Sequence, residues 1–204
     1  NKNITTGGEG GALATQNIEL AKKVRQLSLH GMSKDGWNRF KDSKKWRYDV
    51  SDLGYKYNMT DISASFGIDQ LLKVNDWRNK RISIVKCYAK ELRKIDGIIC
   101  PENQFETHSW HLYIIRFLTK KWRISRDQMI LELNKKGIGT SVHYIPVHMH
   151  SYYIKKYDLT ENDFPNASEY SNSVISLPLY PMLENQQVLY IINVIEDLWS
   201  KFKI

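Results

Sequence analysis

The most informative stretch of this sequence is Lys2-Asn3-Ile4-Thr5-Thr6-Gly7-Gly8-Glu9-Gly10-Gly11. A lysine here precedes a turn rich in threonine and glycine, which a short apolar segment follows. Taken alone, Lys2 fits a solvated lysine near a chain end, and the glycine-rich piece matches many phosphate-binding loops. The stretch is therefore weak evidence by itself, and the remaining sequence decides how Lys2 is interpreted.

Composition indicates a globular protein. The chain has 204 residues, of which 42% are hydrophobic and 12% aromatic, enough for one large domain or one and a half ordinary ones. No apolar run approaches the ~20 residues of a membrane span, and the first residues carry no secretory signal. Cys87 and Cys100 are isolated and lack CxxC spacing, which argues against a disulfide scaffold and favours a reducing cytoplasm.

The charge of the chain favours anionic partners. Its formal net charge is +8 and its pI is near 9.3. Basic residues concentrate at 34–47 and 120–126, where aspartates or aromatic residues are mixed in. Neither cluster has the form of an RNA-binding signature or a zinc finger, so nucleic acid is not the expected partner. A solvated basic surface and a site for a diphosphate-bearing ligand both remain open.

The first half of the chain is predicted to contain one strand and three helices. The strand covers 10–15, and a helix follows from Asn17 to Leu29, ended by His30-Gly31. A polar and aromatic connection over 32–57 leads to helices at about 60–72 and 76–95. A single strand cannot form a sheet, so this half looks incomplete.

The second half alternates strands with helices, which predicts a small α/β domain over 97–204 and leaves 1–96 to another domain. The predicted elements are a strand at 110–118, a helix at 125–135 capped by Ser125, a turn at 137–139, a strand at 140–144, a helix at about 167–174, a turn at 178–181 and a final helix at about 184–203.

Six sequence blocks occur in an informative order. They are Lys2 to Gly11, Leu29-His30-Gly31-Met32, Gly54 to Ile62, Trp110-His111-Leu112-Tyr113, Gly137 to Tyr144 with Pro146, His148, Tyr152 and Tyr153, and Leu177-Pro178-Leu179-Tyr180-Pro181. Together they resemble the C-terminal part of the nucleotide-sugar aminotransferases of the DegT/DnrJ/StrS type, which are fold-type I enzymes using pyridoxal 5'-phosphate (PLP). Gly7-Gly8 holds one more glycine than the common form of the first block.

The resemblance implies an α/β fold in which 1–96 is the end of the large PLP-binding domain and 97–204 is the small C-terminal domain. A full member carries about as much sequence again before the lysine. The chain is therefore expected to be a C-terminal portion, and the groups that hold the cofactor's phosphate, ring and pyridine nitrogen are expected in the preceding part.

The resemblance assigns Lys2 two roles, covalent anchor of PLP and general acid/base. Related sugar dehydratases have histidine at this point, so lysine favours transamination. Asn58 taken alone is an N-cap or turn residue. The resemblance adds a contact with the cofactor phosphate of a neighbouring subunit, which would make the protein a homodimer.

Substrate contacts are expected from four further residues. Trp37 and Arg39 offer an aromatic face and a bidentate phosphate donor, or else belong to a plain surface loop. His143 and His148 either line the sugar-nucleotide site or pack inside the domain. Their spacing with His150 could suggest a metal, but no carboxylate or cysteine completes a ligand set, so no metal is expected.

The sequence thus predicts an enzyme that transfers an amino group, from glutamate as in its relatives, to a keto sugar nucleotide. The expected substrate is a 4-keto hexose used for cell-surface polysaccharide or lipopolysaccharide. Two alternatives stay open, a catalytically silent remnant or regulatory domain of the same fold, and a basic nucleic-acid-binding module.

Overall fold

The structure is a computed structural model that describes residues 2–32, 49–102 and 107–204. Contacts within the chain form two compact units, Asn1–Leu72 and Lys73–Ile204. The division falls inside a long helix. The predicted boundary between the large and small domains, after residue 96, remains a prediction.

Unit 1 contains the first predicted helix, α1, which spans Ile18–Ser28. Asn17 caps it, since its side chain accepts a hydrogen bond of 3.0 Å from the backbone N–H of Leu20. The helix ends where His30 and Gly31 adopt φ values of 58° and 70°, as the sequence predicted. The strand predicted at 10–15 was wrong, because no described residue pairs with that segment and a strand requires a hydrogen-bonded neighbour.

The end of α1 is fixed by the chain that returns alongside it. His30 donates to the carbonyl of Tyr55 at 2.8 Å, and the N–H of Tyr55 donates to Leu27 at 2.7 Å. A Cβ at Gly31 would overlap the Asp52 carbonyl, and one at Gly54 would overlap Gly31 itself. Both glycines are therefore required by the close approach of two backbone segments.

The next helix, α2, is continuous over Asp61–Leu92. The prediction of two helices here was wrong, because Lys73, Val74 and Asn75 contain no glycine or proline that would break the helix. Thr60 precedes it as predicted, and its hydroxyl accepts from the N–H of Ser63 at 3.2 Å. The later turns bury a stripe at helical spacing, namely Arg81, Ile84, Val85, Tyr88, Ala89 and Leu92.

Unit 2 contains a three-stranded antiparallel sheet in the order β1-β2-β3, with β1 at Ile98–Ile99, β2 at Tyr113–Phe117 and β3 at Val174–Leu177. The predicted strand at 110–118 is present but shorter. The predicted strand at 140–144 was wrong, since only Ser141 forms a bridge there. β3 was not predicted, because its four residues lie directly between the predicted helix at about 167–174 and the predicted turn at 178–181.

The first α-helix of unit 2 after β2 begins at the capping signal that the sequence predicted. The segment Arg126–Lys135, α3, begins with a capping box between Ser125 and Gln128. Three helices follow, α4 at Ser151–Tyr157, α5 at Pro165–Ser173 and α6 at Asn185–Phe202. Short 3-10 turns lie at Thr119–Lys121, Val147–Met149 and Glu161–Asp163. With the sheet, these helices confirm the mixed α/β class.

The hydrophobic core lies entirely in unit 2. It joins the later turns of α2, the inner face of the sheet, α3 and α6. β2 alternates as expected, with Tyr113, Ile115 and Phe117 almost fully buried. Unit 1 differs sharply, because Gly31 alone is buried among its described residues. Nowhere in the described ranges is a helix both long and apolar enough to span a membrane.

Replacing Gly97 by alanine is expected to destabilise unit 2 by about 1–3 kcal/mol. A Cβ there would overlap Trp122 and Trp199, which are held in the core by an edge-to-face contact of 4.7 Å. The carbonyl of Gly97 also accepts from the indole N–H of Trp122 at 2.9 Å. Denaturant unfolding measures the loss. Gly139→Ala is the matched control, because a Cβ there meets nothing within 4 Å; equal stability of the two variants would contradict the packing account.

Candidate active site

The glycine-rich turn after Lys2 is held by its own threonines. The N–H of Gly7 donates to the hydroxyl of Thr5 at 3.2 Å, and the hydroxyl of Thr6 donates to the carbonyl of Glu9 at 3.4 Å. Gly7 has a φ of +78°, a conformation that L side chains rarely adopt. The two threonine hydroxyls and the backbone conformation of the glycine therefore fix the shape of the turn that follows Lys2.

This turn lies against the start of α2. A Cβ added at Gly7 would contact Phe66 at 3.5 Å, and one added at Gly67 would contact the methyl group of Thr6 at 3.4 Å. At Gly10 a Cβ would crowd Thr6 at 2.6 Å and Met59 at 3.0 Å. The absence of side chains at these glycines lets the turn approach residues 59–67 closely, and Asn58 directly precedes that segment in the sequence.

The two segments that meet here also carry polar groups that suit an anion. Lys2 and Asn58 are exposed, and the carboxamide oxygen of Asn58 accepts a hydrogen bond from the ammonium group of Lys56. The backbone N–H groups at the start of α2 add the partial positive charge of a helix N-terminus. A primary amine can form a covalent bond with the carbonyl carbon of an aldehyde, and backbone N–H groups can donate hydrogen bonds to a phosphate. Together these groups fit a phosphate-bearing aldehyde such as PLP.

Trp37 and Arg39 lie outside the described residues. Their predicted contacts with a nucleotide or a diphosphate therefore remain predictions.

His143 belongs to unit 2, in the loop that follows the bridge at Ser141. Its Nδ1 lies 2.7 Å from the hydroxyl of Ser176 on β3. The ring is partly buried and meets the ring of Tyr144 edge-on at 4.6 Å, while Tyr144 itself is largely exposed. The imidazole is thus held on one side by the sheet and borders an exposed aromatic residue on the other.

His148 is buried, with 6% of its surface exposed. Its Nε2 lies 2.9 Å from the hydroxyl of Ser168, which donates its single proton to the carbonyl of Glu161 at 2.8 Å. Nε2 must then carry a hydrogen and donate to Ser168. Phe164 packs on the ring at 4.8 Å. These contacts tie His148 into the packing around α5, and its contact with substrate remains a prediction.

The described residues contain no group of three histidine, cysteine, aspartate or glutamate side chains placed to hold a metal ion.

Sequence reasoning missed the two serines that hold the histidines. Ser168 and Ser176 are 3% exposed and each lies within hydrogen-bonding distance of a histidine ring nitrogen. A signal was present for Ser176, which is the single polar residue of the strand Val-Ile-Ser-Leu. A lone hydroxyl in a buried apolar strand requires a polar partner.

Comparison with known proteins shows extended similarity. The sequence profile of the DegT/DnrJ/EryC1/StrS aminotransferase family matches residues 1–196. The spore coat polysaccharide biosynthesis protein SpsC of Bacillus subtilis (strain 168) is 44% identical over 199 residues, which are 97% of this chain and 51% of that protein. An uncharacterised protein of Methanocaldococcus jannaschii, MJ1066, is 43% identical over 201 residues, 98% of this chain and 52% of that protein.

Solved structures show the same fold. Spr1654 from Streptococcus pneumoniae, designated a sugar aminotransferase and solved in PMP and PLP forms, superposes in its PMP form with a TM-score of 0.78 and 32% identity, covering 94% of this chain and 47% of that one. PseC of Helicobacter pylori, an aminotransferase involved in the biosynthesis of pseudoaminic acid, gives 0.76 and 25%, covering 92% and 48%.

The chain spans about half the length of the curated relatives it matches. The fold class is confirmed as the C-terminal portion of the PLP-dependent transferase fold that these sugar aminotransferases share. Since the profile covers nearly the whole sequence and the blocks around Lys2, Asn58 and His143 lie within it, the chain belongs to the DegT/DnrJ/EryC1/StrS aminotransferase family, whose members use PLP.

Proposed function

We propose that this chain is the C-terminal portion of a PLP-dependent aminotransferase acting on a keto sugar nucleotide in the cytoplasm. The amino donor is glutamate, and the acceptor is a 4-keto hexose destined for cell-surface polysaccharide or lipopolysaccharide. The observation that carries the proposal is the family match across residues 1–196, which includes a lysine at the head of a glycine-rich turn packed on the start of α2. The name of SpsC supports a role in polysaccharide biosynthesis.

Lys2 and Asn58 would hold the cofactor, which when bound supplies an electron sink for the substrate's α-carbon. The Nζ of Lys2 would anchor it covalently and, once released, take a proton from the α-carbon of the amino donor. Asn58, beside Lys56 and the start of α2, would bind its phosphate. Trp37, Arg39, His143 and His148 would contact the sugar nucleotide.

Uncovered apolar surface in unit 1 supports both the proposed missing portion and a homodimer. The first turns of α2 expose Ile62 (74%), Ile68 (64%) and Leu72 (79%), and α1 exposes Ile18 (69%). With Gly31 as the single buried residue described in unit 1, these faces lack a core of their own. Further polypeptide covering them, from the preceding half of the enzyme and from a partner subunit, would bury this surface.

The proposal is tested by supplying the intact gene product with PLP, glutamate labelled with ¹⁵N in its amino group and a 4-keto sugar nucleotide. Mass analysis should find the label in the sugar product. An intact protein that binds PLP but transfers no label to any keto sugar nucleotide would favour the silent remnant. Oligonucleotide binding with a steep salt dependence, in the absence of transfer, would favour the nucleic-acid module.

The 204-residue chain alone is expected to show no amino transfer. Unit 1 has almost no buried residues among those described, so it lacks the packing that would hold Lys2 and Asn58 at fixed positions. The same assay applied to the purified chain with added PLP measures this, with the intact protein as the positive control. Turnover by the 204-residue chain would overturn the proposal that the site needs a preceding half.

A further inference from the structure

We propose that Ser176 is a positioning residue for His143: its hydroxyl donates to Nδ1 and orients the ring so that the Nε2–H is presented to an oxygen atom of the sugar nucleotide. This inference rests on the proposed function, since it names a second residue for the substrate site assigned to His143. Ser176 itself would touch no substrate.

The position of Ser176 in the sheet directs its side chain away from the core. Its neighbours Ile175 and Leu177 pair with Ile115 and Tyr113 of β2, which face the hydrophobic core. Side chains alternate along a strand, so Ser176 points to the opposite face of the sheet. The hydroxyl is nevertheless buried, with 3% of the residue exposed. A buried hydroxyl requires a hydrogen-bond partner, and the one found for it in the described part of the chain is Nδ1 of His143, at 2.7 Å.

Ser176 also anchors the backbone from which His143 projects. Its N–H donates to the carbonyl of Ser141 at 2.8 Å, and the N–H of Ser141 donates to the carbonyl of Ser176 at 3.3 Å. Ser141 is two residues before His143. One strand residue therefore fixes both the backbone next to the histidine and the histidine ring, which leaves the imidazole little freedom to rotate.

Proton counting assigns the tautomer. A serine hydroxyl has one proton, and if Nδ1 of His143 carried a hydrogen, the proton of Ser176 would find no acceptor among the described residues. Donation from the buried hydroxyl to an unprotonated Nδ1 satisfies both groups. The ring hydrogen of neutral His143 is then on Nε2, for which the described residues offer no acceptor. That hydrogen is available to a hydroxyl or phosphate oxygen of a ligand.

The other histidine–serine pair shows why this arrangement is distinctive. The proton of Ser168 is used by the carbonyl of Glu161, so His148 must donate its own Nε2–H to Ser168 and is 6% exposed. That pair leaves no Nε2–H for a ligand. His143, by contrast, receives its hydrogen bond at Nδ1 and is only partly buried beside the exposed ring of Tyr144.

The test is a double-mutant cycle in the intact enzyme with Ser176→Ala, His143→Gln and the double variant, following KM for the sugar nucleotide and kcat. Ser176→Ala should raise KM about threefold to tenfold, the effect of losing one positioned hydrogen bond, with a smaller change in kcat. In the His143→Gln background it should add nothing, because Ser176 acts through the histidine. Ser176→Thr, which keeps the hydroxyl, should stay close to wild type.

Two further measurements separate positioning from folding. Ser173→Ala removes another buried serine, whose hydroxyl bonds locally to the carbonyl of Tyr170 at 3.0 Å, and should leave KM unchanged. The ¹⁵N signals of His143 should show an unprotonated, hydrogen-bonded Nδ1 in the wild type and shift in Ser176→Ala. Additive effects in the cycle, or His143 signals that Ser176→Ala leaves unchanged, would overturn the inference. Wild-type protein without amino transfer would instead refute the proposed function, and the nitrogen signals would still decide whether Ser176 holds His143.

Discussion

Replacing Lys2 by alanine is expected to reduce amino transfer by the intact enzyme at least about 10³-fold, because the change removes both the covalent anchor of the cofactor and the group that moves the substrate proton. The side chain is exposed in this chain, and no fold-stabilising contact of it is described. The variant should therefore keep its circular dichroism spectrum and unfolding midpoint while losing turnover, and ¹⁵N transfer from glutamate measures the loss.

Two variants make this result specific. Lys2→Arg keeps the positive charge but cannot provide a primary amine, so it should be as inactive as Lys2→Ala. Lys22→Ala removes a lysine that pairs with Glu19 on the surface of α1, and it should retain wild-type turnover. Activity of Lys2→Ala within tenfold of wild type would show that another group carries out both roles.

Mixing two inactive intact variants, Lys2→Ala and Asn58→Ala, is expected to restore activity if each site takes its lysine from one subunit and its asparagine from the other. A mixed dimer then has one site with both residues intact, giving up to about half the activity of a wild-type dimer at full exchange. Loss of a charge-assisted phosphate contact worth ~1.5–3 kcal/mol makes Asn58→Ala severe enough for the test.

Subunit exchange has to be shown independently, for example by native mass spectrometry of differently tagged subunits. The contact of Gly10 with Met59 lies within one chain, so it also permits Asn58 to serve the site of its own subunit. In that arrangement each site of the mixed dimer lacks one of the two residues, so the first mixture should stay inactive. A second mixture, in which the two arrangements give the opposite outcomes, provides an independent check.

The second mixture combines wild type with the double variant carrying Lys2→Ala and Asn58→Ala on one chain. In a shared site, each site of this mixed dimer lacks one residue, and the dimer should be inactive. In an unshared site, the wild-type subunit keeps its activity. The shared-site proposal therefore requires activity in the first mixture and loss of activity in exchanged dimers of the second, and the reverse pattern would contradict it.

Several helices were predictable from the sequence because their ends carry local signals, whereas α4 at Ser151–Tyr157, whose N-terminus has no side-chain cap, was not predicted. Asn17 and Ser125 accept hydrogen bonds from the first turns of α1 and α3, and the N–H of Glu184 donates to the side chain of Gln187 at the start of α6. Each of these bonds joins residues three positions apart, so the pattern is visible in the sequence. The sequence analysis divided α2 into two helices because fewer apolar residues follow Leu72. The backbone is helical through this segment, so the change in pattern does not mark a helix end.

The strands were less predictable because they depend on distant partners. β3 is buried along its whole length and begins at the residue after α5, so neither alternation nor a turn marks it. It forms because β2, about sixty residues earlier, pairs with it. The segment 140–144 has the composition of a strand but makes a single bridge, at Ser141.

The residues of the candidate site also differ in how far the sequence alone could predict their roles. Lys2 and Asn58 were proposed through blocks of sequence that resemble a family, and the family is confirmed. The role of Ser176 depends on a contact with His143 that spans 33 residues. A lone serine in an apolar strand signals that it needs a polar partner, but the local sequence does not identify that partner. Contacts of that kind follow from the fold, so they are found only when the sheet and the loop are seen together.

The most direct test of the account is to locate the cofactor. The intact protein is loaded with PLP, reduced with borohydride, digested and analysed by mass spectrometry, with Lys2→Ala as the control. We expect a pyridoxyl group on the peptide that contains Lys2, at close to one per subunit, and none in the control. A pyridoxyl group on a different lysine, retained in Lys2→Ala, would contradict it.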